Sequence, residues 1–153
     1  MKICYLADAK SIHTQRWVKY FADNGHEVHL ISSGAFEGND LGNVIFHQLK
    51  RVNPQKRIVS VPINLFFDLI QVRKFLKEIC PDILHAHYVA DYGIIGALTG
   101  FHPFVITAWG SDILIEPNKS KIIKVIVKFT LKQADLITCS GEYLRDIQFC
   151  QLV

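Results

Sequence analysis

The sequence predicts an α/β fold, a doubly wound, Rossmann-like parallel sheet with helices on both faces. Short apolar runs alternate with segments of helical periodicity along most of the chain, which is typical of parallel strands connected by helices. Half of the residues are hydrophobic, so a substantial core can be buried. The length of 153 residues suits one domain, and no apolar run is long enough to cross a bilayer.

The first half of the chain supplies three predicted strands and two predicted helices. The strands are short apolar runs at residues 2–7, 26–31 and 44–49. A helix is expected from Thr14, whose hydroxyl suits the N-cap, to Asn24, and Gly25 ends it because glycine adopts a left-handed backbone easily. The second helix begins at Pro62 and ends before Pro81, and it carries an apolar stripe at helical periodicity.

The second half continues the alternation with strands at residues 81–88, 104–108 and 135–139. Helices are expected at residues 90–99, 120–134 and from Ser140 onward. Right-handed crossovers favour the strand order 3-2-1-4-5-6. Ligands bind such sheets at the switch point, which here lies between the first and fourth strands.

Two histidines lie on the fourth predicted strand. Side chains alternate along a strand, so Ile83, His85 and His87 share one face. His87 and Tyr88 are expected to open onto the ligand site, with His85 one step deeper. Three interpretations stay open: a neutral His87 that acts as a base or hydrogen-bond partner for a substrate hydroxyl, two histidines satisfied by backbone carbonyls, and a zinc site. No further ligand at convincing spacing completes a zinc shell.

A polar turn follows the fifth predicted strand, at the same edge of the sheet as His87. It comprises Trp109, Gly110, Ser111 and Asp112. Its backbone N–H groups, hydroxyl and carboxylate are candidate ligand contacts, and glycine permits close approach of a ligand to the backbone. The alternative is an ordinary turn, which the same residue types build in many proteins.

The loop after the first strand, residues 8–16, leads into a helix N-terminus, where anions are favoured. Ser11, His13 and Arg16 are its candidate ligand contacts. These residues either touch a polar ligand or cap the helix and meet solvent. The dinucleotide fingerprint G-x-G-x-x-G is missing, which argues against NAD and related cofactors.

Four lysines form one stripe on the helix predicted at residues 120–134, at Lys121, Lys124, Lys128 and Lys132. The rest of this helix is strongly apolar. Such a basic amphipathic helix can lie on an anionic membrane surface. The alternative is a helix that packs on the sheet and turns a solvated lysine face outward.

Composition indicates a reduced, cytoplasmic protein. The four cysteines form neither a C-x-x-C pair nor a disulfide-scaffold pattern. The N-terminal residues become acidic too soon for a signal peptide and are better interpreted as a strand. The net charge of +3 fits phosphates or an anionic surface as neighbours and does not require nucleic acid.

Four stretches of the sequence resemble one known family in order. They are N-G-H-E-V at residues 24–28, P-D-I-L-H-A-H-Y at 81–88, T-A-W-G-S-D at 107–112 and A-D-L-I-T-C-S at 134–140. Together they resemble glycosyltransferase group 1, the large retaining family also called family four. The resemblance covers the whole chain, with Trp109 where the family more often has histidine.

The resemblance implies the GT-B architecture, in which two doubly wound domains face each other across a cleft. Such enzymes transfer a sugar from a nucleotide-sugar donor to an acceptor with retention, without a metal or further cofactor, and many serve cell-surface polysaccharide biosynthesis. By analogy, His87 matches a histidine that contacts the transferred sugar. Gly110 and Asp112 match the segment that closes over the donor side. Residues 8–16 match a loop near the donor phosphates, whose usual paired glycines are absent here.

The family's first domain mainly binds the acceptor, and its second domain mainly binds the nucleotide. Residues 1–153 are therefore expected to form the acceptor-side domain, without the donor-binding domain, as in a truncated gene or a frameshift. We expect the chain alone not to turn over, and its partners to be a sugar or lipid-linked acceptor and a separately encoded donor domain. The alternatives are a standalone acceptor- or partner-binding module and another doubly wound nucleotide-binding protein.

Overall fold

A computed structural model of the protein describes residues 1–34, 41–51, 62–139 and 141. Its strands are β1 (Lys2–Leu6), β2 (Glu27–Ser32), β3 (Ile45–Gln48), β4 (Ile83–His87), β5 (Phe104–Ala108) and β6 (Leu136–Cys139). Its α-helices are α1 (Ile12–Asp23), α2 (Pro62–Ile79), α3 (Gly93–Thr99), α4 (Ser111–Leu114), α5 (Glu116–Lys119) and α6 (Lys121–Gln133). A π-helical turn, Tyr88–Tyr92, lies between β4 and α3.

The six strands form one sheet in the order β3-β2-β1-β4-β5-β6, and every pair is parallel. The expected strand order and fold class are therefore confirmed. The order in which the chain adds strands reverses at β1 and β4, because β2 and β3 extend the sheet on one side of β1 and β4 to β6 extend it on the other. At this point Tyr5 of β1 lies opposite His85 of β4. On the other side of β4, His87 lies opposite Thr107. The carboxyl ends of β1, β4 and β5 consequently meet at one edge.

The two faces of the sheet carry separate apolar clusters. Leu84 and Ala86 belong to the larger cluster, which packs against α2, α3 and α6. The smaller cluster, which includes Tyr5 and Val18, lies under α1. The two histidines of β4 share one face of the sheet, as their spacing predicts, and the structure shows that this is the face covered by α1.

Helix α1 starts earlier than the sequence indicates, and the prediction of Thr14 as its N-cap is wrong. Ser11 occupies the N-cap position, with an extended backbone and no side-chain capping bond. Thr14 lies inside the helix and is buried together with Val18 and Ala22, one helical turn apart each. The predicted end of the helix is confirmed, since Gly25 follows it with a φ of +81°.

The segment after β4 is less regular than the helix predicted at residues 90–99. The π-helical turn takes up its first part, and α3 begins only at Gly93. Tyr88, where this turn starts, has a φ of +73°, which is strained for an aromatic residue. Small residues of this segment pack closely on the sheet. A Cβ added at Gly96 would lie 2.6 Å from Cε2 of Phe104.

The remaining connections also follow the predicted outline with local differences. The turn after β5 contains Gly110, with a φ of +109°, and it leads directly into the short helix α4. Ser120 caps α6, because its Oγ accepts the backbone N–H of Ile122 at 3.2 Å. The helix predicted from Ser140 onward lies outside the described residues. Within the described ranges, no helix is long and apolar enough to cross a membrane.

Candidate functional site

A pocket of about 290 Å³ opens at the edge where β1, β4 and β5 end. Its lining residues come from the loop after β1, the start of α1, the end of β4, the π-helical turn and the turn after β5. They are Asp8, Ser11, Thr14, His87, Tyr88, Asp91, Tyr92 and Trp109. The pocket thus occupies the predicted switch point, where parallel α/β sheets bind ligands.

His87 forms the floor of this pocket and is only 2% exposed. Its Nδ1 lies 3.4 Å from Oγ1 of Thr14, whereas its Nε2 has no hydrogen-bond partner among the described residues. Burial lowers the pKa of His87 to about 3, with smaller contributions from His85 and His13. The imidazole is therefore neutral near pH 7, and one of its two nitrogens is buried without a hydrogen-bond partner among the described residues.

His85 lies one step deeper, away from the pocket lining. Its Nε2 is 2.6 Å from Oγ1 of Thr107, and this hydroxyl is 2.7 Å from Oγ1 of Thr138. Thr138 donates in turn to the backbone carbonyl of Ile106 at 3.5 Å. The pKa of His85 falls to about 4 because the ring is buried. Threonine hydroxyls, not backbone carbonyls, are thus the polar partners of both histidines.

Aromatic rings surround His87 on several sides. The ring of Trp109 is 5.4 Å from the His87 ring, and those of Tyr5 and Trp17 are 5.6 and 5.7 Å away, all close to perpendicular. The ring of His13 stacks on the ring of Trp109, with ring centroids 4.6 Å apart. These edge-to-face contacts fix the orientation of the imidazole.

Asp112 holds the turn after β5 against the segment after β4. Its Oδ1 accepts the backbone N–H groups of Trp109 at 3.0 Å and Gly110 at 2.9 Å, and its Oδ2 accepts that of Val89 at 2.9 Å. Burial raises the pKa of this carboxyl, and hydrogen bonds from backbone N–H groups, these three among them, oppose that shift. Asp112 is fully buried and, like Gly110, is absent from the pocket lining.

The other expected site residues lie at different distances from the pocket. Ser11 lines the pocket, and the hydroxyl of Ser111 lies 3.3 Å from that of Tyr88 at its rim. His13 reaches the site only through its stack on Trp109. Arg16 is exposed and lies in a separate groove along α1, so the structure does not bring it to the pocket.

Four pocket residues were not among the candidate contacts predicted from the sequence: Asp8 and Thr14, which lie in the loop expected at the site, and Asp91 and Tyr92, which lie outside it. Thr14 carried a usable signal, because it is a polar residue on the buried stripe of an amphipathic helix. Tyr92 reaches the edge through the π-helical turn, and its hydroxyl lies 2.8 Å from Oγ of Ser33. Within the described ranges, no group of three or more His, Cys, Asp or Glu residues is arranged to hold a metal ion.

Known proteins with similar sequences are glycosyltransferases. A family model described as glycosyl transferase 4-like matches residues 2–141. An uncharacterised glycosyltransferase of Methanocaldococcus jannaschii is 29% identical over 143 residues, which covers 89% of this chain and 38% of the relative. The N-acetyl-alpha-D-glucosaminyl L-malate synthase of Bacillus anthracis is 29% identical over 140 residues, which covers 82% of this chain and 34% of the relative. The chain thus spans well under half the length of these relatives.

Solved glycosyltransferase structures share the fold. Sucrose-phosphate synthase from Thermosynechococcus elongatus has a TM-score of 0.73 at 11% identity, covering 99% of this chain and 45% of that protein. MurG from Acinetobacter baumannii has a TM-score of 0.60 at 13% identity, covering 94% of this chain and 41% of that protein. At these identities the likeness concerns the fold, and it confirms the expected doubly wound domain of the GT-B type. Because the family match extends over nearly the entire chain, this protein belongs to the glycosyl transferase 4-like family.

Proposed function

We propose that residues 1–153 form the acceptor-side half of a retaining glycosyltransferase, and that the pocket binds the transferred sugar next to His87. The observation that carries this proposal is the Nε2 of His87, a buried nitrogen that no described residue pairs, on a residue that lines a pocket with room for one sugar ring. A buried polar atom left without a partner is unfavourable, and a sugar hydroxyl would satisfy it.

The residues around His87 divide the work of binding. Ser11, Tyr88, Trp109 and Ser111 contact the sugar, whereas Thr14 orients the imidazole and Asp112 holds the two loops together. His85 supports His87 from below. We assign Asp112 and Gly110 this positioning role in place of the direct contact expected from the sequence, since neither lines the pocket.

Turnover requires more than this wall of the site. Retaining transfer develops positive charge on the sugar and negative charge on the leaving phosphate, and preorganised groups must stabilise both. Among the described residues, the pocket lining includes no Lys or Arg. The cations that stabilise the phosphate then belong to a second, donor-binding domain, in the same polypeptide or a separate chain. We therefore expect no turnover by residues 1–153 alone, and the nucleotide sugar acts as co-substrate.

The acceptor side of the proposal concerns helix α6. Its surface combines the exposed Lys121, Lys124 and Lys132 and the half-buried Lys128 with Ile122, 73% exposed, and Val125, 66% exposed. The helix contains no acidic residue. This composition suits the anionic inner face of a membrane, where a cytoplasmic enzyme of cell-surface polysaccharide biosynthesis meets a lipid-linked acceptor.

Vesicle co-sedimentation tests the membrane part of the proposal. The chain should pellet with vesicles that contain anionic lipid at low salt, stay in solution with purely zwitterionic vesicles, and be released by high salt. Replacing Lys121 and Lys124 by Gln should weaken binding, and replacing the exposed Lys74 and Lys77 of α2 should not. Equal binding to zwitterionic and anionic vesicles would contradict the proposal that charge attraction holds α6 at the membrane.

Saturation-transfer NMR of the chain with UDP-glucose, UDP-N-acetylglucosamine and GDP-mannose tests the sugar site. For at least one donor, NMR saturation should pass from the protein to the protons of the sugar ring, and His87→Gln should abolish this signal. His102→Gln is the matched control, since His102 is exposed and precedes β5 at the opposite edge of the sheet. Saturation signals on the nucleotide protons alone would contradict the proposal. Sugar signals that stay equally strong in His87→Gln would contradict it as well. Release of nucleoside diphosphate that depends on His87 would contradict the requirement for a second domain.

A further inference from the structure

Thr14 of helix α1 is a buried polar residue with one polar neighbour. Its side chain is 1% exposed and lines the same pocket as His87. A threonine inside a helix often donates to the carbonyl four residues before it, whereas the hydroxyl of Thr14 reaches across to β4. Among the described residues, the only hydrogen-bond partner of its Oγ1 is Nδ1 of His87, at 3.4 Å. The hydroxyl proton of Thr14 therefore has this nitrogen as its acceptor.

The neutral imidazole of His87 can carry its single proton on either ring nitrogen. With the proton on Nδ1, Thr14 would accept the hydrogen bond, and its own hydroxyl proton would be buried without an acceptor in the described part of the chain. With the proton on Nε2, Thr14 donates to Nδ1, and only the Nε2–H group at the pocket stays unpaired. Because every unpaired buried polar group is unfavourable, the Nε2–H form is the more stable one.

The neighbouring His85 is held in one form by a separate set of threonines. Oγ1 of Thr138 donates to the backbone carbonyl of Ile106 at 3.5 Å, so it accepts from Oγ1 of Thr107 at 2.7 Å. The proton of Thr107 is then in use, and this hydroxyl accepts from Nε2 of His85 at 2.6 Å. His85 therefore carries its proton on Nε2 as well. Because the two histidines have different threonine partners, each can be altered without the other.

We propose that Thr14 is a positioning residue that holds the neutral imidazole of His87 in its Nε2–H form. The pocket then offers a hydrogen-bond donor at this position, which recognises an acceptor oxygen of the ligand, and His87 takes no proton from a sugar hydroxyl. Of the two roles that the sequence leaves open for a neutral His87, this selects the hydrogen-bond partner over the base. The ligand part of the inference rests on the proposed sugar site, whereas the position of the proton is a property of the free chain.

Long-range ¹H–¹⁵N correlation NMR of the ¹⁵N-labelled free chain near pH 7 locates the proton, because protonated and unprotonated ring nitrogens differ widely in ¹⁵N chemical shift. The His87→Gln variant identifies which signals belong to His87. We expect a protonated Nε2 and an unprotonated Nδ1 at this residue. A proton on Nδ1, an even mixture of the two forms, or protons on both nitrogens would overturn the proposal.

Threonine variants separate the effect of Thr14 from a general change in structure. Thr14→Val should raise the ratio of the Nδ1–H form to the Nε2–H form at His87 about fivefold, as expected for the loss of one typical hydrogen bond, and Thr14→Ser should restore the parental ratio. Thr107→Val is the matched control, because it should change the signals of His85 and leave the ratio at His87 unaltered. An unchanged ratio in Thr14→Val, or an equal change in Thr107→Val, would overturn the role of Thr14.

Addition of UDP-glucose, UDP-N-acetylglucosamine and GDP-mannose, one at a time, tests the donor role in the same spectra. At least one of them should move the Nε2–H signals of His87 while the proton stays on Nε2. Transfer of the proton to Nδ1 on binding would overturn the donor role. If the free chain carries the proton on Nε2 and no compound has an effect up to tens of millimolar, the sugar site is overturned and the role of Thr14 stands.

Discussion

Replacement of Asp112 by alanine should be among the most destabilising single changes at the site. The carboxylate accepts three backbone N–H groups at 2.9–3.0 Å and is fully buried. Each donor left unpaired in the interior costs about 1–3 kcal/mol. Water can enter from the adjoining pocket and satisfy part of the loss, so we expect a total of about 3 kcal/mol, near the lower limit for three donors.

Urea denaturation monitored by far-UV circular dichroism measures this loss. The midpoint should fall and the m-value should stay constant if only native-state stability changes. Asp112→Asn should fall between the parent and the alanine variant, because the amide keeps one acceptor oxygen.

Asp135→Ala is the matched control for this measurement. Asp135 also accepts a backbone N–H, from Phe104 at 2.6 Å, but this donor lies at the start of β5, at the end opposite to Asp112, and the Asp135 side chain is exposed to solvent. Because water can replace this contact, Asp135→Ala should lower the free energy of unfolding clearly less than Asp112→Ala does. An Asp112→Ala variant within about 1 kcal/mol of the parent would refute the role of this carboxylate as the connection between the two loops.

Three further changes should have measurable effects. Thr14→Val removes the hydroxyl beside Nδ1 of His87 at nearly constant volume. We expect the free energy of unfolding in urea to fall by about 1 kcal/mol and the saturation-transfer NMR signals of bound sugar to weaken. Unchanged NMR signals would refute the orienting role of Thr14. Gly96→Ala should destabilise by about 2 kcal/mol, because its Cβ would lie 2.6 Å from Phe104, and full parental stability would contradict this packing. Folded-state pKa values of about 4 for His85 and about 3 for His87 lie below the ordinary value, so the unfolded chain binds more protons in acid. Stability should therefore fall by about 2 kcal/mol from about pH 6 to pH 5, and a flat profile over this window would show that the rings are not buried as described.

Sequence periodicity was sufficient for the architecture of this protein. The alternation of strands and helices, with right-handed crossovers, led to the observed strand order, and the period of two along β4 placed His85 and His87 on one face. These features follow from constraints that act on every residue of an element, so a pattern over five to eighteen residues can reveal them.

The site depended on local geometry that has no such pattern. Thr14 and Ser11 both satisfy the residue preference for an N-cap, and only the packing of α1 on the sheet decides between them. The π-helical turn, which carries Asp91 and Tyr92 to the pocket, has no sequence period that distinguishes it from an α-helical turn. Asp112 has the composition of a surface turn, and its burial follows from contact between two loops distant in sequence.

The left-handed backbone of Tyr88 sets stability against the proposed sugar binding at one position. Glycine would adopt a φ of +73° freely, whereas a bulky residue there carries conformational strain on the order of 1 kcal/mol. Tyr88→Gly would therefore relieve backbone strain, and it would also remove the tyrosine side chain from the pocket wall. A laboratory selection for heat resistance alone would be drawn toward Tyr88→Gly, and a selection for sugar binding would restore the tyrosine.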